Sequence, residues 1–435
     1  MKLQLFLYFN CLSVVVKGFL IPHCHPKSTT GLWETTIDNE IELNPLLSSI
    51  KPSKTVEIFS LVKELQAQGQ SVTSLCVGEP DFAPPKAVLE AAQKALVDGD
   101  TRYTAVTGTA DLRKAIAADL KKRKNVDYNP NTDIVVANGA KQAVYQGILA
   151  TVGTGDQVLI PSPYWPSYPE MVRLTGAEPI IVPTEAKDGF LLTPQSLELA
   201  LKEHSNVKLL IFCNPSNPTG GVHDERRLQE LVEVLKKYPK VLVMADEIYE
   251  RLTYTSTGSC PAFASYLPDR TMTINGFSKA YAMTGFRLGY LAAPAKIAKA
   301  VTTLQSQFTS CAGSVSQAAG VAALTQVPEE ELQEKFTEMK CKRDYVLNRL
   351  SKMPHVEVAV PPQGAFYVLP DISYYVNSER DDSKFCVELL QTYKLALVPG
   401  SAFGAPGTVR ISYATSMEEL EIAMDKLEKY LKDLM

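Results

Sequence analysis

Several common features are missing from this sequence, and each absence narrows what it encodes. There is no positive excess: 44 lysines and arginines against 48 aspartates and glutamates leave a net charge of −4. That balance gives no footing for nucleic acid, and no helix pair of the DNA-binding kind is appended. None of the eight cysteines (11, 24, 76, 213, 260, 311, 341 and 386) belongs to a C-x-x-C pair. In a chain this long they do not read as a disulfide framework, and most are expected as reduced, buried small hydrophobes. No run of G-x-G-x-x-G follows an apolar stretch, and no acidic residue stands where a ribose would need it. A dinucleotide-dependent oxidoreductase is therefore disfavoured. Internal repeats and low-complexity tracts are also missing, and tryptophan occurs only twice.

The N-terminus reads apart from the rest. Its apolar stretch runs from Leu3 to Val16, is interrupted by Gln4, Asn10 and Ser13, and is too short to span a membrane. It resembles the hydrophobic region of a secretory signal, with a compatible cleavage position around Phe19. The hydroxyl-rich stretch that follows resembles the second half of leaders that direct proteins to plastids bounded by extra membranes. His23-Cys24-His25 lies in this Pro-flanked stretch and is read as chance rather than as a metal site. Residues 1–42 are set aside as a targeting leader, and no membrane segment is expected in the mature form.

From residue 45 the pattern is globular, and 435 residues suggest more than one domain. Helical spacing marks 86–98, 110–123, 226–238, 329–352 and 416–434. Short apolar runs occupy 133–137, 156–160, 179–183, 208–213, 240–245, 271–275 and 287–292. Seven such runs alternating with helices predict an α/β fold with a mostly parallel sheet covered on both faces. Beyond about residue 325 the texture becomes that of a smaller α+β unit, with strands expected within 356–369. The expected organisation is a large domain over 86–324 and a small one from 45–85 and 325–435, the early segment having no sheet of its own.

In open α/β sheets ligands bind beyond the carboxyl ends of the strands. Asn138-Gly139-Ala140-Lys141 follows the first run and opens a helix, which makes an anion site. Trp165 follows the second, Asn217 the fourth, Asp246 and Tyr249 the fifth, and Ser278-Lys279 the sixth. Taken singly, these read as caps, turns or core. Together they describe one chemistry. A lysine forms a Schiff base with a carbonyl cofactor. A carboxylate keeps a pyridine nitrogen protonated. A phenol and an amide bond a ring hydroxyl oxygen, an indole stacks on the ring, and a helix N-terminus with Arg287 binds a phosphate. That set is a pyridoxal 5'-phosphate site.

The motifs "VGEPDF" (77–82), "TRYTAVTGTADLR" (101–113), "NGAKQ" (138–142), "PYWPSYPEM" (163–171), "NPSNPTG" (214–220), "DEIYE" (246–250), "NGFSKAYAMTGFRLGY" (275–290), "PQGAFYVL" (362–369) and "VPGSAFG…VRISYA" (398–414) occur in order. On them the chain, from about residue 45 onward, resembles a fold-type I, class I aminotransferase. Within that class it resembles the bacterial-type aspartate aminotransferases, whose plant plastid relatives also accept prephenate.

The resemblance implies roles. Lys279 is the Schiff-base lysine and moves the proton as general base and acid. Asp246 pairs with the pyridinium nitrogen, Tyr249 and Asn217 bond the ring hydroxyl oxygen, and Trp165 stacks. Arg287, Ser278 and the backbone of Gly139, Ala140 and Lys141 hold the phosphate. Tyr103 reaches the phosphate of a neighbouring subunit, which implies a homodimer with shared sites. Arg410 clamps the substrate α-carboxylate, aided by the Gly78 backbone, Trp165 and Asn217. Lys141 reads the substrate side chain. Another subgroup uses an arginine near the stretch matching 305–311, where this chain has none. Thr55 matches a substrate-side position in prephenate-accepting members, with a turn or cap threonine the equal alternative. Phe286 and Ala140 stand where tryptophan and glycine are common.

The resulting expectation is an enzyme that moves the amino group of aspartate or glutamate to a 2-oxo acid, with prephenate among the candidates. Aromatic, alanine or kynurenine-type aminotransferases and a β-lyase on the same fold remain as alternatives. A catalytically dead homologue is disfavoured by the presence of both Lys279 and Asp246.

Overall fold

The computed structural model describes residues 44–435, apart from 53, 256, 257, 259 and 360. The expected leader and the His23-Cys24-His25 triplet lie outside these residues. Pro45–Met435 form one compact unit.

The described residues carry twelve strands. They are β1 (Thr73–Ser74), β2 (Ile134–Ala137), β3 (Gln157–Ser162), β4 (Glu178–Pro183), β5 (Val207–Cys213), β6 (Leu242–Asp246), β7 (Thr271–Gly276), β8 (Gly289–Ala292), β9 (Tyr367–Val368), β10 (Leu395–Ala396), β11 (Val398–Pro399) and β12 (Val409–Ser412). The seven predicted runs form one sheet in the order β2-β8-β7-β6-β5-β3-β4. Only β8 runs against its neighbours, β2 and β7.

Side chains alternate between the two faces of a strand. Leu209 and Ile211 of β5 enter one apolar cluster, with Val158, Ile160 and Met244. Leu210 and Phe212 enter the opposite cluster, with Leu159, Val243 and Ala245. Both faces are therefore core, which is why the sequence shows continuous apolar runs rather than alternation. Helix Ala140–Thr151 supplies Val144 and Ile148 to the first cluster, and helix Glu225–Lys236 supplies Leu228, Leu231 and Leu235 to the second. The latter helix starts where Asp224 Oδ1 accepts the Arg227 N–H at 2.8 Å, an N-cap.

The C-terminal part differs from expectation. Only Tyr367–Val368 of 356–369 is a strand; Glu357 and Gly364 make isolated bridges. Pro361 and Pro362 donate no ladder hydrogen bonds and break the run. β9 instead joins β12 and β11 in a three-stranded antiparallel sheet. The early segment also holds a strand after all, since β1 pairs with β10 in parallel. It opens with a short 3₁₀ turn, Pro45–Ser49, and its helix Lys54–Ala67 buries Ile58 and Val62. No helix among the described residues is long and apolar enough to cross a membrane.

Candidate active site

The carboxyl ends of β5, β6 and β7 open on a cavity of about 510 Å³. Its lining includes Thr55, Gly78, Ala140, Lys141, Trp165, Asn217, Asp246, Tyr249, Ser278, Lys279, Arg287 and Arg410. Twelve of the fourteen residues expected from sequence thus meet in one space. Gly139 stands just behind the wall. Tyr103 lies elsewhere on the chain surface, 88% exposed, and takes no part in its own chain's cavity.

Lys279 follows β7 in a turn and is half-buried. Its Nζ donates to the carbonyl of Gly78. Burial pushes its pKa down to about 8; the Arg410 and Arg287 cations act the same way, while Glu79 and Asp246 oppose them. A neutral amine is therefore available near neutral pH, as nucleophilic chemistry requires.

Asp246 ends β6 and is buried. Burial raises its pKa, against the Tyr168 hydroxyl, which donates to Oδ2 at 2.6 Å, the Ile248 N–H at 3.3 Å from Oδ1, and the Lys279 cation. Residues 248–251 form a turn, and Asp246 and Tyr249 face the same cavity. The Tyr249 hydroxyl lies 2.9 Å from that of Tyr367.

Arg287 and Gly139 form the anion end. Gly139 has φ 88°, and a Cβ there would lie 2.5 Å from Arg287 Nη2, so only glycine lets the guanidinium settle over the start of helix Ala140–Thr151. No side chain caps that helix start. Arg287 itself has φ 50°, and its Nη1 donates to the Thr284 carbonyl at 2.9 Å. A non-glycine residue in the left-handed region is strained and is held there by its surroundings. Backbone N–H groups at an uncapped helix start, beside a guanidinium with no ion pair among the described residues, fit a phosphate. The nearby ammonium, carboxylate and phenol fit the remaining parts of pyridoxal phosphate.

Arg410 on β12 is 3% exposed and makes no ion pair among the described residues. It donates to Asn217 Oδ1 at 3.1 Å and to the Cys76 carbonyl at 2.6 Å, while its buried Nε has no partner. The rings of Tyr367 and Phe403 flank the guanidinium at 4.5 and 4.8 Å. Lys141 Nζ stands 5.2 Å from the Trp165 ring centroid. Desolvation and then the Arg287 cation lower its pKa, and it too lacks an ion pair among the described residues. Four cations of the lining (Lys141, Lys279, Arg287, Arg410) thus face two carboxylates (Glu79, Asp246). A site with this excess is built for anions.

Residues 70–427 match the family described as aminotransferase class I and II. The chain belongs to that family. It is 44% identical to an aspartate aminotransferase of Pinus pinaster, over 90% of this chain and 81% of that one. It is equally identical to a bifunctional aspartate aminotransferase and glutamate/aspartate-prephenate aminotransferase of Petunia hybrida, over 91% and 84%. Solved structures agree. The aspartate aminotransferase of Rhizobium meliloti superposes with a TM-score of 0.84 at 36% identity, covering 90% of this chain and 99% of that one. The Thermus thermophilus aspartate aminotransferase, solved with maleate, gives 0.85 at 34%, covering 89% and 99%. The fold is that of a fold-type I aminotransferase, and the enzyme is a pyridoxal 5'-phosphate-dependent aminotransferase.

Two site residues of this aminotransferase escaped the sequence reading. Tyr168 stands three positions after Trp165 and bonds Asp246; Tyr367 lies within "PQGAFYVL" and touches Tyr249. Both sit inside "PYWPSYPEM" and "PQGAFYVL", but a tyrosine among apolar residues gives no sign of which way its hydroxyl points.

Proposed function

We propose that this aminotransferase takes the amino group of aspartate or glutamate and delivers it to a 2-oxo acid, with prephenate among the acceptors. The observation that carries this reading is the pair of cations, Arg410 and Lys141, that line one cavity without a carboxylate partner among the described residues. A dicarboxylic amino acid brings one carboxylate for each. Arg410 offers a planar fork suited to the α-carboxylate, and Lys141 offers a point charge for the second carboxylate. The names of the Pinus and Petunia relatives support the same substrates.

When bound, pyridoxal phosphate supplies a carbonyl that accepts the amino group and a ring that draws off electrons. The chain's residues do the rest. Arg287, Ser278 and the N–H groups at Gly139, Ala140 and Lys141 bind the phosphate. Trp165 fixes the plane of the ring. Asp246, aimed by Tyr168, keeps the ring nitrogen protonated; a positive charge beside it offsets the burial that otherwise raises its pKa. Tyr249 and Asn217 hold the ring hydroxyl oxygen. With the cofactor bound, Lys279 would be the group placed to take the proton from the substrate's Cα and hold it for return, since burial keeps part of its amine neutral. Gly78 and Thr55 close over the substrate.

Two wider features belong to the same reading. The exposed Tyr103 serves the phosphate site of a second copy in a homodimer. The small lobe of 45–85 and 325–435 carries Arg410 and Gly78 toward the larger lobe of 86–324. The leader pattern of residues 1–42, together with plant relatives, supports delivery to a plastid.

The visible spectrum of purified holoprotein tests the substrate assignment. Aspartate or glutamate is expected to bleach the yellow band, and 2-oxoglutarate to restore it. If both amino acids leave the band intact while cysteine conjugates release pyruvate, the enzyme is a β-lyase and the assignment is wrong.

A further inference from the structure

Tyr367 has no part in the reading above, yet it touches three of that reading's components. It opens β9, is 1% exposed, and lines the cavity. Its hydroxyl oxygen lies 2.9 Å from that of Tyr249. Its ring faces the Arg410 guanidinium at 4.5 Å. A Cβ on Gly78 would come within 2.3 Å of the same hydroxyl oxygen, so the "VGEPDF" backbone rests on it. Gly78 is in turn the carbonyl to which Lys279 donates.

Each of the two tyrosines has one proton to give. Between the two phenols alone, either can be the donor. An acceptor in the cavity removes that freedom. Once Tyr249 gives its proton to the ring hydroxyl oxygen of the cofactor, its own oxygen is left to accept, and the hydroxyl that faces it is Tyr367.

We propose that Tyr367 is a positioning residue: its hydroxyl donates to Tyr249, which fixes Tyr249 as donor to the cofactor ring oxygen, and the same oxygen sets the height of the Gly78 backbone over the substrate. The proposal rests on the assignment of Tyr249 to the ring oxygen. A chain of two hydrogen bonds pointing the same way polarises, so the first donor strengthens the second. A stronger donor stabilises the anionic form of the ring oxygen, and the bound chromophore then gives up its proton at lower pH. The Arg410 contact is one of ring packing, which phenylalanine would keep.

The test reads the pH midpoint of the visible absorption of the bound cofactor in holoprotein. Tyr249→Phe is expected to move it up strongly. Tyr367→Phe is expected to move it up by a few tenths of a pH unit, and to add nothing in the Tyr249→Phe background. Difluorotyrosine at position 367 keeps the shape and is a better donor; it is expected to move the midpoint down, an outcome that packing alone would not produce. If Tyr249→Phe shifts the midpoint while neither change at 367 does, the proposal is overturned and the role of Tyr249 stands. If Tyr249→Phe shifts nothing, both fall. The spacing role has its own readout. Gly78→Ala is expected to raise the amino-acid KM more with Tyr367 than with phenylalanine there, because the nearest ring carbon stands back at 3.4 Å. An equal rise in both backgrounds would refute it.

Discussion

Residues 246–251 divide two charged regions that treat their charges in opposite ways. On one side Asp246 and Tyr249 face the cavity, whose four cations form no ion pair among the described residues. On the other, Glu250 and Arg251 join Asp119, Arg123 and Lys124 in a network with few free contacts. Arg123 meets Asp119 at 2.6 Å and Glu250 at 2.7 Å, Lys124 meets Glu250 at 2.8 Å, and Arg251 meets Asp119 at 2.7 Å. Burial alone would raise the Glu250 carboxyl, but Arg123 and Lys124 hold it well below the usual carboxylate range. A buried charge that the chain satisfies itself is scaffold. A charge held in place without a partner is ready for a ligand, and the reorganisation needed to receive that ligand is already done.

Substitutions on the two sides should therefore fail differently. The largest effect is expected from Lys279→Ala, which lowers transamination by more than about 10⁴-fold while cofactor-free protein unfolds at or above the wild-type temperature. Loss of folding there would break the comparison. Glu250→Gln is expected to do the reverse and cost roughly 3–5 kcal/mol of stability, because Arg123 and Lys124 lose their shared partner; chemical denaturation measures this. Arg410→Ala is expected to weaken the amino-acid half-reaction by roughly 2–5 kcal/mol in kcat/KM, read by stopped-flow absorption with aspartate.

A smaller effect sharpens the contrast within the network itself. Glu247 is buried with Oε2 unpartnered among the described residues, and burial raises its pKa to about 7, although Lys124 opposes this. It therefore binds a proton more tightly in the folded than in the unfolded chain. The resulting stability is present below pH 4.5 and is lost as pH rises through about 7. Glu247→Gln is expected to gain roughly 1–3 kcal/mol at pH 8 and nothing near pH 4. The mildest expectation concerns Lys279. Cofactor uptake by the apoprotein should accelerate through about pH 8, where burial has placed the amine, rather than near 10.5. An inflection at 10.5 would mean that the amine is fully solvated.

Much of this molecule was legible in its sequence, for identifiable reasons. Strands buried on both faces leave apolar runs, so β2 to β8 stood out, and strand ends are where polar residues are noticed. The strands expected within 356–369 are cut short, because Pro361 and Pro362 donate no ladder hydrogen bonds and only Tyr367–Val368 forms a strand. The partners of Tyr168 and Tyr367 lie 78 and 118 positions away, a separation at which no local pattern carries information. The ionic network was silent for the same reason: Arg123 and Glu250 are 127 positions apart and look like ordinary surface charge.

The most direct test of the distinction pairs two variants and two measurements. Arg287→Gln and Glu250→Gln are each assayed for pyridoxal phosphate affinity by equilibrium dialysis and for unfolding of the cofactor-free protein. The account predicts that Arg287→Gln loses affinity without losing apoprotein stability, and that Glu250→Gln loses stability first. Retained affinity in Arg287→Gln, with apoprotein unfolding as easily as Glu250→Gln, would contradict it.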